Sequence, residues 1–235
     1  MNVAQLPLDL PHRAALGAED FLVSDCNLAA VRLIDAWPEW QGNVQLLIGP
    51  AASGKTHLAR VWQARSGAHA PRPYLLGIAA IDAMGDGTAL VVEDIDRGLH
   101  DEKALFHLIN FAREKGLFVL LTSREVPSRV DWTLPDLLSR LNALPPVQIG
   151  APDEALLKAV MLKQFADRQL DVDPKVLDYL ALHVDRSLDA AARAVEAVDR
   201  AALGSGRKIS RQLAAQVLAG MAREGAAEGQ NWPSP

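Results

Sequence analysis

The sequence predicts an α/β protein with a parallel sheet flanked by helices, followed by a small all-α domain. Short apolar runs alternate with helical patterns up to Gly150, and only helical patterns follow it. Such alternation is typical of a parallel sheet covered on both faces. We therefore expect an α/β domain over residues 21–150 and a helical domain over residues 151–221.

Within the first domain, five apolar runs have the length of buried parallel strands. They occupy residues 44–48, 74–77, 89–92, 117–121 and 146–149. Apolar residues at helical spacing predict the intervening helices. These helices are expected over residues 27–37, 55–65, 101–115 and 135–142.

The second domain contains four helical patterns, over residues 153–169, 174–183, 187–203 and 208–220. Asp153 and Asp173 stand where a capping side chain would begin the first two of these helices. Residues 1–20 and 222–235 lack a periodic apolar pattern, so we expect a flexible arm and a disordered tail.

The amino-acid composition and net charge limit which classes of protein this chain can belong to. With 49% apolar and 23% charged residues, the chain can bury a core without disulfides. A net charge of -5 disfavours broad coating of DNA, because such binding depends on Lys and Arg. Cys26 is the only cysteine, and no apolar run resembles a membrane span or a signal peptide. We expect a cytoplasmic protein that makes no membrane contact.

The strongest motif is a phosphate-binding loop. It reads Gly49-Pro50-Ala51-Ala52-Ser53-Gly54-Lys55-Thr56 and fits the pattern G-x-x-x-x-G-K-[ST] at every fixed position. Glycines let the backbone N–H groups face phosphates, the lysine neutralises them, and the threonine hydroxyl reaches Mg²⁺. The following helix points its positive end at the anion. We expect these residues, with His57 after them, to bind ADP or ATP.

A second element supports this expectation. The apolar run 89–92 ends in Glu93 and Asp94, and acids after such a strand hold Mg²⁺ and orient water in related sites. We expect Thr56 and Glu93 to bind Mg²⁺, and Glu93 and Asp94 to have catalytic roles. The alternative is that these carboxylates are solvated or cap the next helix.

With these elements in order, the chain resembles the AAA+ family over about residues 3–220 and, within it, the DnaA-related replication proteins, especially the short Hda type. The matching segments are Phe21-Leu22-Val23 (the segment that covers adenine), Gly49–Thr56 (Walker A), 91–94 (Walker B) and 120–123 (the sensor 1 strand). The resemblance implies that Arg140, in the segment 137–141, is an arginine finger that acts on a partner subunit's nucleotide. It also implies that Arg186, before the predicted helix 187–203, contacts the phosphates in cis.

Two departures from the family pattern concern hydrolysis. Glu93 stands where the family usually has Asp, and Arg124 stands where the initiators often have an acid. The longer Glu93 side chain displaces its carboxylate, and Mg²⁺ geometry is strict. We expect at most weak ATP hydrolysis by the chain itself, with nucleotide binding retained.

The N-terminal arm carries the segment Gln5-Leu6-Pro7-Leu8-Asp9-Leu10. In an extended peptide, alternate leucines project to one side, where a groove can read them. The segment resembles the peptide by which bacterial replication proteins bind the sliding clamp of DNA polymerase III, with Gln5, Leu6, Leu8 and Leu10 as contacts. The alternative is an arm that packs on its own domain or is disordered.

These features favour a DnaA-related regulator that binds the clamp and stimulates ATP hydrolysis by the initiator DnaA, which prevents over-initiation of replication. Two alternatives remain open: an autonomous AAA+ ATPase that remodels a replication or nucleic-acid complex, and a non-enzymatic clamp adaptor. A homo-oligomer is compatible with each. No basic recognition helix follows the helical domain, so we expect no direct sequence-specific DNA binding.

Overall fold

The computed structural model of the protein describes residues 21–97, 99, 101–206 and 208–229. These residues form two compact units, one ending at Gly150 and the other beginning at Ala151. The first contains helices α1 to α5 and strands β1 to β4, and the second contains helices α6 to α9. No helix in this part of the chain has both the length and the apolar character needed to cross a membrane.

The first unit is an α/β layer structure. Its elements in chain order are α1 (Leu28–Asp35), β1 (Val44–Ile48), α2 (Lys55–Ser66), α3 (Ile78–Asp82), β2 (Ala89–Val92), α4 (Glu102–Lys115), β3 (Phe118–Ser123), α5 (Pro135–Asn142) and β4 (Pro146–Gln148). All strands are parallel and lie in the order β2-β3-β1-β4. The predicted fold class is confirmed.

Helices cover both faces of this sheet because side chains alternate along each strand. Leu46 of β1 and Leu121 of β3 belong to a cluster packed with α4 and α5, whereas Leu47 and Leu120 belong to a cluster with α1 and α2. All four leucines are completely buried. The continuous apolar runs of the sequence thus reflect strands that are buried on both faces.

The predicted strand at 74–77 is wrong. The chain forms a 3₁₀ turn at Pro73–Leu75 instead. Nearby, only His69 pairs with the sheet edge, where its N–H donates to Ala89 O at 2.9 Å and its carbonyl accepts from Val91 N at 2.8 Å. Pro71 and Pro73 have no N–H to donate and have a fixed φ, so they cannot continue that ladder.

The second unit is a four-helix structure. Its helices are α6 (Glu154–Asp167), α7 (Pro174–His183), α8 (Leu188–Ser205) and α9 (Arg211–Gly229). The predicted caps are confirmed, since Asp153 accepts from Leu156 N at 2.7 Å and Asp173 from Lys175 N at 2.8 Å. Apolar side chains from all four helices form one core.

The last helix is longer than predicted. We expected a disordered tail over residues 222–235, but α9 continues to Gly229, so that prediction is wrong over residues 222–229. Ala, Arg and Glu dominate this stretch, and their high helix propensity outweighs the cost of Gly225. Residues 230–235 lie outside the described residues.

Candidate nucleotide-binding site

The loop between β1 and α2 lies at the carboxyl edge of the sheet. Gly54 precedes the helix with φ of +98°, a conformation that glycine adopts readily and other residues do not. A Cβ on Gly54 would lie 2.8 Å from Phe21 Cε2, and one on Gly49 would lie 2.7 Å from Ser53 Oγ. Gly54 is therefore favoured both by its φ and by its close contact with Phe21, while a side chain on Gly49 would displace Ser53 Oγ and crowd Ile149.

Lys55 is the first residue of α2, and its side chain is turned into the loop. Its Nζ donates to Gly49 O at 2.7 Å and to Pro50 O at 2.9 Å. The residue is 5% exposed. Burial lowers the pKa of Lys55, while the charge of Asp94 acts in the opposite direction and that of Arg124 adds to the lowering.

Thr56 is held by the second acidic element. Its hydroxyl donates to Glu93 Oε2 at 2.5 Å, which joins the first turn of α2 to the end of β2. The two predicted Mg²⁺ ligands are thus in direct contact. Among the described residues, no group of three His, Cys, Asp or Glu is arranged to hold a metal by itself.

Asp94 adopts a left-handed conformation with φ of +49°, which is uncommon for a residue with a side chain. Its N–H donates to Thr122 Oγ1 at 2.9 Å, and Thr122 is completely buried in β3. The adjacent N–H of Ile95 donates to Thr122 O at 2.9 Å. One β3 residue therefore fixes the turn that carries both acids.

Arg124 follows β3 and faces the same acids. Its Nη2 lies 3.4 Å from Asp94 Oδ2, and its backbone N–H donates to Asp96 Oδ1 at 3.1 Å. The sequence marks Arg124 as a departure and includes Asp96 in the acidic element 89–96, but it predicts neither contact. Both contacts form because β2 and β3 are neighbours in the sheet, which brings their carboxyl ends together.

The segment Phe21-Leu22-Val23 lies beside the loop. The Phe21 ring stacks on the His57 ring with centroids 5.1 Å apart, and Val23 is buried. The Leu22 carbonyl accepts from Asn27 Nδ2 at 2.9 Å, which ties the segment to the residue before α1. An aromatic residue therefore lies against the first turn of the phosphate-loop helix.

The two predicted arginines, Arg140 and Arg186, are both exposed. Arg140 is on α5, and its side chain makes no hydrogen bond or ion pair with another described residue. The residues just after α5, 143–145, line a cleft with residues 41–44, which lead into β1. This places the end of α5 near the amino edge of the sheet, whereas the loop follows the carboxyl end of β1.

Arg186 is exposed before α8 in the helical unit. The predicted clamp-binding residues of the arm, Gln5, Leu6, Leu8 and Leu10, lie outside the described residues.

The loop fits a polyphosphate ligand. The N–H groups of Lys55 and Thr56 are in the first turn of α2 and have no acceptor within the helix. They point at the loop together with the positive end of the helix dipole. Ser53 Oγ is buried without a hydrogen-bond partner in the described chain. These groups would hold phosphates, and Thr56 and Glu93 are the residues that would hold Mg²⁺ with them.

Comparison with known proteins identifies the fold. No protein-family model matches the chain, and no curated protein matches it significantly in sequence. Domain III of the Thermotoga maritima replication initiation protein DnaA matches with a TM-score of 0.67 and 19% identity, over 85% of this chain and 94% of that one. A replication initiator DnaA bound to AMPPCP and single-stranded DNA matches with a TM-score of 0.63 and 16% identity, over 77% of this chain.

The match to that initiator covers only 63% of its length, so this chain spans less than two thirds of it. A structure of T. maritima RuvB also matches, with a TM-score of 0.64 and 16% identity, over 82% of this chain and 67% of that one. The chain therefore shares the fold of these DnaA and RuvB structures.

Proposed function

We propose that the chain is a DnaA-related regulator of the Hda type, which binds adenine nucleotide and stimulates ATP hydrolysis by the initiator DnaA. The observation that carries this proposal is the position of Arg140, which is exposed and whose side chain makes no ion pair in the described chain. It lies near the opposite edge of the sheet from Lys55. An arginine placed there suits a nucleotide that a second subunit holds.

Charge neutralisation is the chemistry that Arg140 would supply. A guanidinium delivered from a partner stabilises the charge that develops on the transferred phosphate, and such arginines contribute roughly 10³- to 10⁵-fold in rate. The nucleotide in this chain's own loop would be held by Lys55, the loop N–H groups and Thr56 with Glu93. In this proposal, that nucleotide sets the conformation in which Arg140 is presented to the partner. The protein would act in the cytoplasm, where replication occurs.

Docking on the DNA polymerase III sliding clamp completes the proposal. The segment from Gln5 to Leu10 would bind the clamp through Gln5 and the alternate leucines. The arm joins the described chain at Phe21, whose ring lies against Gly54 and His57.

The central test measures ATP turnover by purified DnaA with clamp-loaded DNA, with and without this protein. We expect stimulation by the parent chain and its loss in Arg140→Ala. Arg129→Ala is the matched control, since Arg129 lies in the same unit, is exposed and makes only a surface pair with Glu125 at 3.8 Å. Unchanged DnaA turnover on adding the parent chain would refute the proposal.

The same preparation separates the alternatives. An autonomous ATPase would hydrolyse ATP without DnaA, and Lys55→Ala would abolish that activity. A clamp adaptor would bind the clamp without altering turnover by DnaA. Clamp capture by the parent, and its loss in the Gln5→Ala and Leu6→Ala variants, tests the arm independently of Arg140.

A further inference from the structure

The Arg124 side chain is incompletely paired for a partly buried cation. Its side chain is 33% exposed, and its one side-chain contact to a described acid is the 3.4 Å approach of Nη2 to Asp94 Oδ2. Charge-assisted bonds between guanidinium and carboxylate are usually about 2.7–2.9 Å long and often bidentate. The contact with Asp94 is therefore loose and uses one of the five N–H groups that an arginine carries.

The Nε–H of Arg124 makes the pairing still less complete. It is buried and has no hydrogen-bond partner in the described chain. A buried donor without an acceptor is costly, and natural structures retain such groups for a reason such as a ligand. A purely structural ion pair would instead be expected to satisfy this donor.

The surroundings indicate which ligand would satisfy it. Arg124 follows β3 directly, and the N–H of Gly49, the first loop residue, donates to Ser123 O at 3.1 Å. The backbone N–H of Arg124 is bonded to Asp96, which anchors the residue beside the acids. Lys55 Nζ donates to Gly49 O at 2.7 Å, so the same loop residue is bonded both to Lys55 and to the residue before Arg124. Two cationic residues are thus attached to one end of the loop, which suits an anion with several charges.

We propose that Arg124 is a phosphate-binding residue of this site, contributing its guanidinium to the phosphates of the nucleotide held by the loop. This rests on the proposed nucleotide binding and deepens it. Where the DnaA-type pattern has an acid, this chain has a cation, so the site would hold phosphate charge more strongly. Asp94 then acts as the carboxylate that keeps Arg124 close to the loop.

Isothermal titration calorimetry with the full chain tests this, using ATP, ADP and tripolyphosphate in the presence of Mg²⁺. Tripolyphosphate reports the phosphate contacts without those to adenine. Arg124→Met keeps the length of the side chain and removes its charge. We expect its affinity for all three ligands to fall about 10- to 100-fold, as the loss of a charged hydrogen bond predicts. Arg124→Lys, which restores the charge, should recover part of this loss.

Two controls distinguish a role of Arg124 in ligand binding from a role in stability. Arg129→Met, on the exposed surface, should leave every affinity unchanged. The melting temperature of Arg124→Met should stay within about 2 °C of the parent or rise, because the variant removes a buried unsatisfied donor.

Two results would overturn the inference and leave the proposed function intact. One is that Arg124→Met binds all three ligands within twofold of the parent. The other is that its affinity falls together with its melting temperature, and that Arg124→Lys recovers none of the affinity. If the parent binds neither ATP nor ADP, the proposed nucleotide binding fails first, and this inference fails with it.

Discussion

The close approach of Phe21 to Gly54 gives a stability prediction that can be worked from geometry. Gly54→Ala has two costs. Its φ of +98° lies beyond the left-handed region that other residues tolerate, and strain of this kind costs about 1–3 kcal/mol. Its Cβ would also lie 2.8 Å from Phe21 Cε2, and overpacking adds about 1–3 kcal/mol. We expect a total loss of about 3 kcal/mol in the free energy of unfolding.

Gly67 provides a matched control at the other end of the same helix. Its φ is +69°, inside the left-handed region, and a Cβ there would meet no atom within 4 Å. Gly67→Ala should therefore cost only the backbone preference, about 1 kcal/mol. The difference of about 2 kcal/mol between the two variants isolates the extra strain and the contact with Phe21.

Urea denaturation followed by tryptophan fluorescence measures both values. The signal reports the first unit, because Trp37, Trp40 and Trp62 pack in its core cluster. In a Phe21→Ala background, Gly54→Ala should cost about 1–2 kcal/mol less than in the parent, because the ring it collides with is gone. If Gly54→Ala is no more costly than Gly67→Ala, or if the Phe21→Ala background changes nothing, the packing described here is wrong.

Three further stability predictions use the same denaturation assay. Thr122→Val should lose about 1–3 kcal/mol, because the N–H of Asp94 loses its buried acceptor; an unchanged urea midpoint would contradict that bond. Asp173→Ala, monitored by helical circular dichroism, should lose about 1 kcal/mol through the missing cap of α7. Leu203→Ala, at a 75% exposed position in the same unit, should stay within about 0.5 kcal/mol by that signal and serves as its control. Trp62→Ala should lose about 3–5 kcal/mol, because Trp62 is completely buried.

The local features of the fold could be predicted from the sequence because each depends on neighbouring residues. The phosphate loop is a fixed spacing of residue types, and the caps at Asp153 and Asp173 need only the first turn of a helix. The strand at 74–77 was predicted from its apolar run alone. Whether such a run joins a sheet depends on its backbone donors and on the strand edge beside it. Pro73 has no N–H to donate to a neighbouring strand, and the chain forms a 3₁₀ turn there.

The pairings within the site could not be predicted in the same way. They join residues that are far apart in the chain and depend on the order of the strands. Asp94 and Thr122 meet because β2 and β3 are neighbours in the sheet. Aspartate is only enriched in the left-handed conformation, so the residue type alone does not place that conformation at Asp94. Apolar spacing on α5 predicts that Arg140 is exposed, because Leu137 and Leu141 are the buried residues of that helix. The edge of the sheet near which α5 ends depends instead on tertiary packing.

The structure gives the unusual Glu93 a physical explanation. The sequence alone predicts only that its extra length displaces a Mg²⁺ ligand. In the structure, that length lets Oε2 accept from the Thr56 hydroxyl at 2.5 Å. An aspartate at this position would be shorter by one carbon–carbon bond, about 1.5 Å, and would leave a gap too wide for a hydrogen bond. Glu93 thus holds α2 to the end of β2 directly. The Thr56 hydroxyl can donate to Glu93 and still offer an oxygen lone pair to Mg²⁺, so the extra length of Glu93 keeps in contact the two groups that would hold the ion.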